Sequence, residues 1–203
     1  MFLDSSLQSL LQEILEWGQA YDATEAVPNR RMRNLKPETA QMVSILVRAS
    51  RRHRILEIGT SSGYSTIWLG ACARDLGGQV TSIDHSVEKH ALAKENLRKA
   101  DLLDWVDLHT GDATELVQTL DATFDCVFFD SVQVQPWRQL EVLLPKLAPN
   151  VLIMADNVLS HGEEMAPFLD LLKAQSDIDF TVAPIGKGLC VAHRLEEYAY
   201  IPC

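Results

Sequence analysis

Residues 54–65, Arg54-Ile55-Leu56-Glu57-Ile58-Gly59-Thr60-Ser61-Ser62-Gly63-Tyr64-Ser65, decide the fold class. Five residues rich in branched apolar side chains predict a short buried strand. Two glycines four apart then predict a tight turn where backbone can approach a ligand. A helix over about 65–74 follows. The same strand-then-helix pattern returns down the chain: QVTSI at 79–83 with a helix over 87–100, VDLHT at 106–110 with a short helix over 113–120, CVFF at 126–129 with a helix over 137–147, and VLIMA at 151–155 with a helix over 162–174. Alternation of this kind predicts a mainly parallel sheet with helices on both faces. The near-continuous apolar character of the strands fits burial on both sides.

Both ends of the chain depart from the alternation. Residues 180–183 and 189–193 are strand-like, and only Pro184-Ile185-Gly186-Lys187-Gly188 separates them. A parallel crossover needs at least about 10–12 residues, so these two form a hairpin and one strand runs antiparallel. At the other end, Leu3, Leu7, Leu10, Leu11, Ile14 and Leu15 recur at helical spacing behind a cap at Asp4 or Ser5. Residues 22–37 read as a loop. A helix over 38–49 follows, with Met42, Ile45 and Leu46 on one side. Residues 1–203 thus read as a single domain, with 1–50 as an N-terminal helical extension. The leucine face of the first helix suits either its own sheet or a second subunit in a homodimer.

Composition narrows the function classes. Apolar residues make up 47% and charged residues 23%, which excludes disordered and collagen-like chains. At 203 residues a core forms without disulfide or metal support. The formal net charge of −10 argues against a uniformly cationic nucleic-acid binder. The charge is uneven, however. Arg30, Arg31, Arg33 and Lys36 form one basic cluster, and Arg51, Arg52 and Arg54 a second. These read as solvated turns or as a local anion contact. Cys72, Cys126 and Cys190 sit in apolar runs and, with Cys203, make no C-x-x-C pair, so a zinc site has no support. No apolar run is long enough to span a membrane. The expected location is cytoplasmic, with no membrane partner.

In open α/β sheets, ligands bind beyond the carboxyl ends of the strands. The turn at 59–63 lacks the G-x-G-x-x-G pattern of dinucleotide enzymes and the Lys-Ser/Thr pair of a phosphate loop. Hydroxyls at Thr60, Ser61, Ser62 and Ser65 beside a helix N-terminus suit a carboxylate ligand, or simply a glycine-rich turn. Asp84 ends the second strand at a spacing that suits ribose hydroxyls. Asp112, after the third strand, caps the next helix or faces a ligand. Together these positions describe a pocket for a nucleoside with an amino-acid-like tail. The fourth and fifth strands end in Asp130 and in Asp156-Asn157. Three oxygen donors without His or Cys suit Mg²⁺, Mn²⁺ or Ca²⁺. Helix capping or arginine pairing is the alternative.

From Met32 to Leu195 the chain resembles the small divalent-metal-dependent O-methyltransferases, the group that contains catechol and caffeoyl-CoA O-methyltransferases and many bacterial relatives. The stretches ILEIGTSSGYST, SID, GDA, FFD and MADNV carry the resemblance, in that order. It implies the seven-stranded, Rossmann-like class I methyltransferase fold with the last strand antiparallel. It also implies S-adenosylmethionine as cofactor and a hydroxylated small molecule, catechol-like with vicinal oxygens, as acceptor. By position, Glu57, Gly59, Gly63 and Ser65 would hold the methionine end, with Ser61 beside them. Asp84 would bind the ribose, Asp112 and Ala113 would flank the adenine, and Leu35 would cover the cofactor. Asp130, Asp156 and Asn157 would bind the metal, with Asp130 also near the cofactor's amino group and in the catalytic centre.

One position departs from the family. A lysine is usual three residues after the first metal aspartate, and here Gln133 stands there, a side chain that cannot take up a proton. His161 is either a replacement base or an exposed helix-start residue. Trp137 either stacks on an acceptor or belongs to the core or a dimer contact. Two further readings stay open: a tRNA hydroxyuridine O-methyltransferase, suggested by the Arg30–Lys36 cluster, and a cofactor-binding module without activity, suggested by Gln133.

Overall fold

The computed structural model describes residues 3–131 and 135–195. Two helices open the chain, α1 (Ser5–Thr24) and α2 (Pro37–Ala49). The alternating part runs β1 (Arg54–Ile58), α3 (Tyr64–Leu76), β2 (Gln79–Asp84), α4 (Val87–Lys99), β3 (Val106–Thr110), α5 (Ala113–Thr119), β4 (Phe124–Phe129), α6 (Pro136–Leu143), β5 (Leu147–Ala155) and α7 (Gly162–Lys173). The hairpin β6 (Ile178–Ala183) and β7 (Leu189–Arg194) closes it. The seven strands lie in the order β3-β2-β1-β4-β5-β7-β6. Strands β1 to β5 pair in parallel, and β7 is antiparallel to both β5 and β6. The expected α/β class and its single antiparallel strand are therefore present.

Each strand feeds two cores by simple alternation. Ile55, Cys126, Phe128, Leu152 and Met154 join the layer under α1 to α4. Leu56, Ile58, Val127, Phe129, Ile153 and Ala155 join the layer under α5 to α7. Cys72, Cys126 and Cys190 are buried free thiols, and burial pushes their pKa values up. Cys203 lies outside the described residues.

The N-terminal leucine face packs on its own chain: Leu3, Leu7, Leu11 and Ile14 are buried in the first core. Asp4 caps α1 by accepting from the Leu7 amide at 2.9 Å. Three expectations need correction. Helix α2 buries Thr39, Ala40, Val43, Ser44 and Val47; Met42 and Leu46 pack partly buried on the first core as expected, while Ile45 is 44% exposed. Helix α2 packs against α3, where Cys72 Sγ donates to the Ser44 carbonyl at 3.8 Å, so the Ser44 side turns inward and Ile45 outward. The helix expected to reach Leu147 stops at Leu143, because Pro145 sits in a 3-10 turn over Leu144–Lys146, where its ring cannot continue an α-helix. Finally, Arg52 is not on a solvated turn: it is buried, and its Nη1 donates to the Asn150 carbonyl at 2.6 Å.

Candidate functional site

The strand order reverses between β1 and β4, and a cleft opens there beyond the carboxyl ends of the strands. Backbone bonds level the strand-end acids around it. Gly111 N–H donates to the Asp84 carbonyl (3.0 Å), Asp130 N–H to Ile58 (2.9 Å) and Asp156 N–H to Phe129 (2.9 Å). Gly59 is required by a close approach: at φ +106° a Cβ would lie 2.6 Å from the Asp130 carbonyl oxygen. This contact brings the β1 and β4 turns together.

Of the expected cofactor residues, Leu35, Gly59, Ser61, Ser65, Asp84, Asp112, Ala113 and Asp130 line the cleft. Asp84 is anchored by the fold and keeps a lone pair free on each oxygen. Its Oδ2 accepts from the Ser61 amide (2.8 Å) and its Oδ1 from the Ser86 amide (2.9 Å), which fixes its direction. Asp112 caps α5 by accepting from the Thr114 amide at 2.7 Å, while standing on the cleft rim.

Glu57 and Gly63 are not on the wall. Glu57 points to the α3 face, fully buried, and its Oε2 accepts from Thr66 Oγ1 (2.5 Å) and Ser82 Oγ (2.6 Å). Its Oε1 has no hydrogen-bond partner. Burial pushes this carboxyl up to about 7, against the opposing pull of the hydroxyls of Ser65, Ser82 and Thr66. Glu57 thus stands behind Ser65. Gly63 begins α3 at φ +84°, where a Cβ would press on Ala93 of α4 at 3.2 Å, so its role is helix packing.

Asp130 and Asn157 line the other end of the cleft, and Asp156 lies buried behind them. Asn157 adopts φ +70° and its Nδ2 donates to Asp130 Oδ1 at 3.2 Å. Asp156 Oδ1 is buried without a partner. Burial and then the charge of Asp156 raise the Asp130 pKa well above the carboxylate range. Burial raises Asp156 to about 6, against the Asn157 amide and the Lys187 charge. Among the described residues no three His, Cys, Asp or Glu side chains come together to hold a metal. What is present is two mutually repelling carboxylates, one orphaned buried oxygen and an amide. This all-oxygen set fits a hard divalent cation.

Gln133 lies outside the described residues. His161 is half-buried on the cleft wall, its Nδ1 within 2.9 Å of Ser160 Oγ. Trp137 packs against the second core under the Arg138 guanidinium, away from the cleft.

Sequence reasoning missed two groups. Residues 31–34 form a strap over the cleft. Met32 and Arg33 amides donate to Asp22 (2.6 and 2.8 Å), Ser61 Oγ to the Met32 carbonyl (2.6 Å) and Lys89 Nζ to the Arg31 carbonyl (2.8 Å). Lys187, in the β6–β7 loop, and Gln139, on α6, also line the cleft. The loop lysine carried no signal because its distance from Asp130 in sequence is closed only by the fold.

Comparison with known proteins agrees with this fold. The Methyltransferase domain family matches residues 56–158. The catechol O-methyltransferase of Niastella koreensis is 29% identical over 134 residues, covering 64% of this chain and 60% of that protein. That of Mycobacterium tuberculosis is 30% identical over 132 residues, covering 64% and 59%. The chain thus spans about three fifths of these curated relatives. The crystal structure of the O-methyltransferase from Bacillus cereus in complex with SAH superposes with a TM-score of 0.80 at 26% identity, covering 92% of this chain and 90% of that one. With the family match on just over half of its length and the same architecture throughout, this chain belongs to the methyltransferase domain family.

Proposed function

We propose that this protein transfers the methyl group of S-adenosylmethionine to a hydroxyl of a small molecule that carries two adjacent oxygens. The observation that carries the reading is the frustrated acid pair Asp130 and Asp156, with Asn157, at one end of a cleft whose other end presents Asp84. The names of the relatives, catechol O-methyltransferases, support the same acceptor class.

Under this reading Asp84, held by two backbone amides, accepts hydrogen bonds from the ribose hydroxyls. Ser61 and Ser65 line the methionine end, and Glu57 steadies Ser65 from behind. Asp130, Asp156 and Asn157 would hold Mg²⁺, Mn²⁺ or Ca²⁺. Such an ion, when bound, lowers the pKa of an acceptor hydroxyl and fixes the oxygen beside it. The chain's own contribution is to align the acceptor oxygen with the methyl group and to exclude water beneath the strap. Lys187 places a positive charge beside the same two acids. It supplies, from a different loop, the charge that Gln133 cannot.

Calorimetric titration tests the reading. S-adenosylmethionine should bind alone, and catechol should then bind only with Mg²⁺ present. Catechol uptake indifferent to Mg²⁺ would sink the metal assignment, and absence of cofactor binding would sink the whole reading. A hydroxylated tRNA uridine is the second acceptor reading, favoured by Arg31 and Arg33 on the cleft rim. Neutralising both should then weaken RNA binding and flatten its salt dependence.

A further inference from the structure

Helix α6 turns an apolar face inward: Leu140 and Leu143 are fully buried in the second core. Gln139 is the exception on that side. It is 0% exposed, and neither its Nε2 nor its Oε1 has a hydrogen-bond partner. It also lines the cleft, and α6 packs against α5, whose first residue, Ala113, is part of the same wall. A primary amide offers two donors and two lone pairs. Enclosing all of them unused is unfavourable, and a leucine or methionine would fill the space without that cost. The amide is therefore placed for a ligand that presents a donor and an acceptor side by side. The surrounding wall narrows the choice. Ile58, Ile83 and Ala113 offer apolar surface for a flat ring, and Asp84 stands where a ribose would follow.

We propose that Gln139 reads the edge of the cofactor's adenine: Oε1 accepts from the 6-amino group and Nε2 donates to the ring nitrogen beside it. The inference rests on the cofactor reading above and adds a base-specificity residue to it. The backbone around Asp112 and Ala113 can flank any purine, whereas a carboxamide with both atoms free distinguishes one that carries the 6-amino group. An inosine analogue is a poor probe, because a flipped amide matches its reversed pattern. A purine with hydrogen at position 6 removes the donor outright.

The test is calorimetric binding of S-adenosylhomocysteine and of its 6-deamino analogue, to the wild-type protein and to Gln139→Leu. The wild type should prefer the adenine ligand by about tenfold, the worth of one hydrogen bond. Gln139→Leu should lose about 100-fold towards S-adenosylhomocysteine and about tenfold towards the analogue, so that it binds both alike, and should unfold without ligand at the same or a higher temperature. Gln139→Glu keeps an acceptor but has no Nε2 donor. It should also bind S-adenosylhomocysteine more weakly, so the question survives a leucine variant that fails to fold. Wild-type affinity in Gln139→Leu, or an equal loss towards both ligands, would overturn the assignment. A wild type that binds neither ligand would instead overturn the cofactor reading on which it stands.

Discussion

The two ends of the cleft are built on opposite principles. At the β2 end, Asp84 is held in place by the fold itself, with an amide hydrogen bond to each oxygen. At the β4–β5 end, Asp156 keeps an orphaned oxygen and Asp130 sits beside a second acid, eased by one 3.2 Å bond from Asn157 and by the charge of Lys187. The acid at one end is anchored before anything binds, and the acids at the other are left in electrostatic conflict. A buried acid pair without a counter-ion is costly, so a domain keeps one where a cation or substrate relieves it. Under the proposed function, the contrast teaches that the cofactor end is preorganised, while the acceptor end depends on what enters.

The sharpest way to break this contrast is to remove the conflict. Asp156→Ala, assayed by transfer of labelled methyl to catechol, should lower the rate by roughly three orders of magnitude, since metal stabilisation of the acceptor is worth several kcal/mol. Cofactor affinity should be retained. A chelator should reproduce the loss in the wild type, and an unchanged rate in either experiment would refute it.

At the anchored end the effect moves from rate to affinity. Asp84→Ala should weaken S-adenosylhomocysteine binding by about 10- to 100-fold, the worth of hydrogen bonds to a charged acceptor. The Ser61 and Ser86 amides lose their partner in the same variant, so a lowered melting temperature should accompany the loss. Binding within twofold of wild type would mean that Asp84 serves the turn alone.

Lys187→Met addresses the acceptor end again, with a smaller change. The rate of transfer should fall by about tenfold or somewhat more, while cofactor affinity stays constant, because the Lys187 charge acts on Asp130 and Asp156. Equal losses in rate and cofactor affinity would place the lysine elsewhere in the mechanism.

The smallest effect concerns Glu57, behind the cofactor end. In the unfolded chain its carboxyl loses its proton near the ordinary 4.5, and in the folded chain near about 7. The folded state therefore holds the proton more tightly. This contribution to stability is complete below pH 4.5, declines as pH rises and is gone above about 7. Glu57→Gln, whose carbonyl can still accept from Thr66 and Ser82, should flatten this part of the curve. It should be the more stable protein at pH 8 by about 1–3 kcal/mol. Parallel unfolding curves for the two proteins across this range would remove Glu57 as the cause.

Much of this arrangement was legible in residues 54–65 and the strand-end acids, since each of those signals is local. A branched apolar run, a glycine pair and an acid directly after a strand state their meaning within a few positions. Helix boundaries were less legible wherever a proline or close packing intervened, as at Pro145 and on the inner face of α2. The division of labour among the motif residues was not legible at all. Glu57 and Gly63 share a motif with Gly59 and Ser65, yet strand alternation turns Glu57 away from the cleft and helix packing claims Gly63.

The sequence by itself determined the alternation of strands and helices, the hairpin at the end, and which acids finish which strands. Chain-local sterics and the period of apolar residues are enough for that. Only the tertiary structure decided that the acids of β4 and β5 come together, that the charge of Lys187 bears on them from the last hairpin loop, and that Gln139 is enclosed with both polar atoms free. Those facts depend on strand order and on desolvation. Neither is a property of any short stretch of chain: both arise when segments far apart in sequence exclude water from one another.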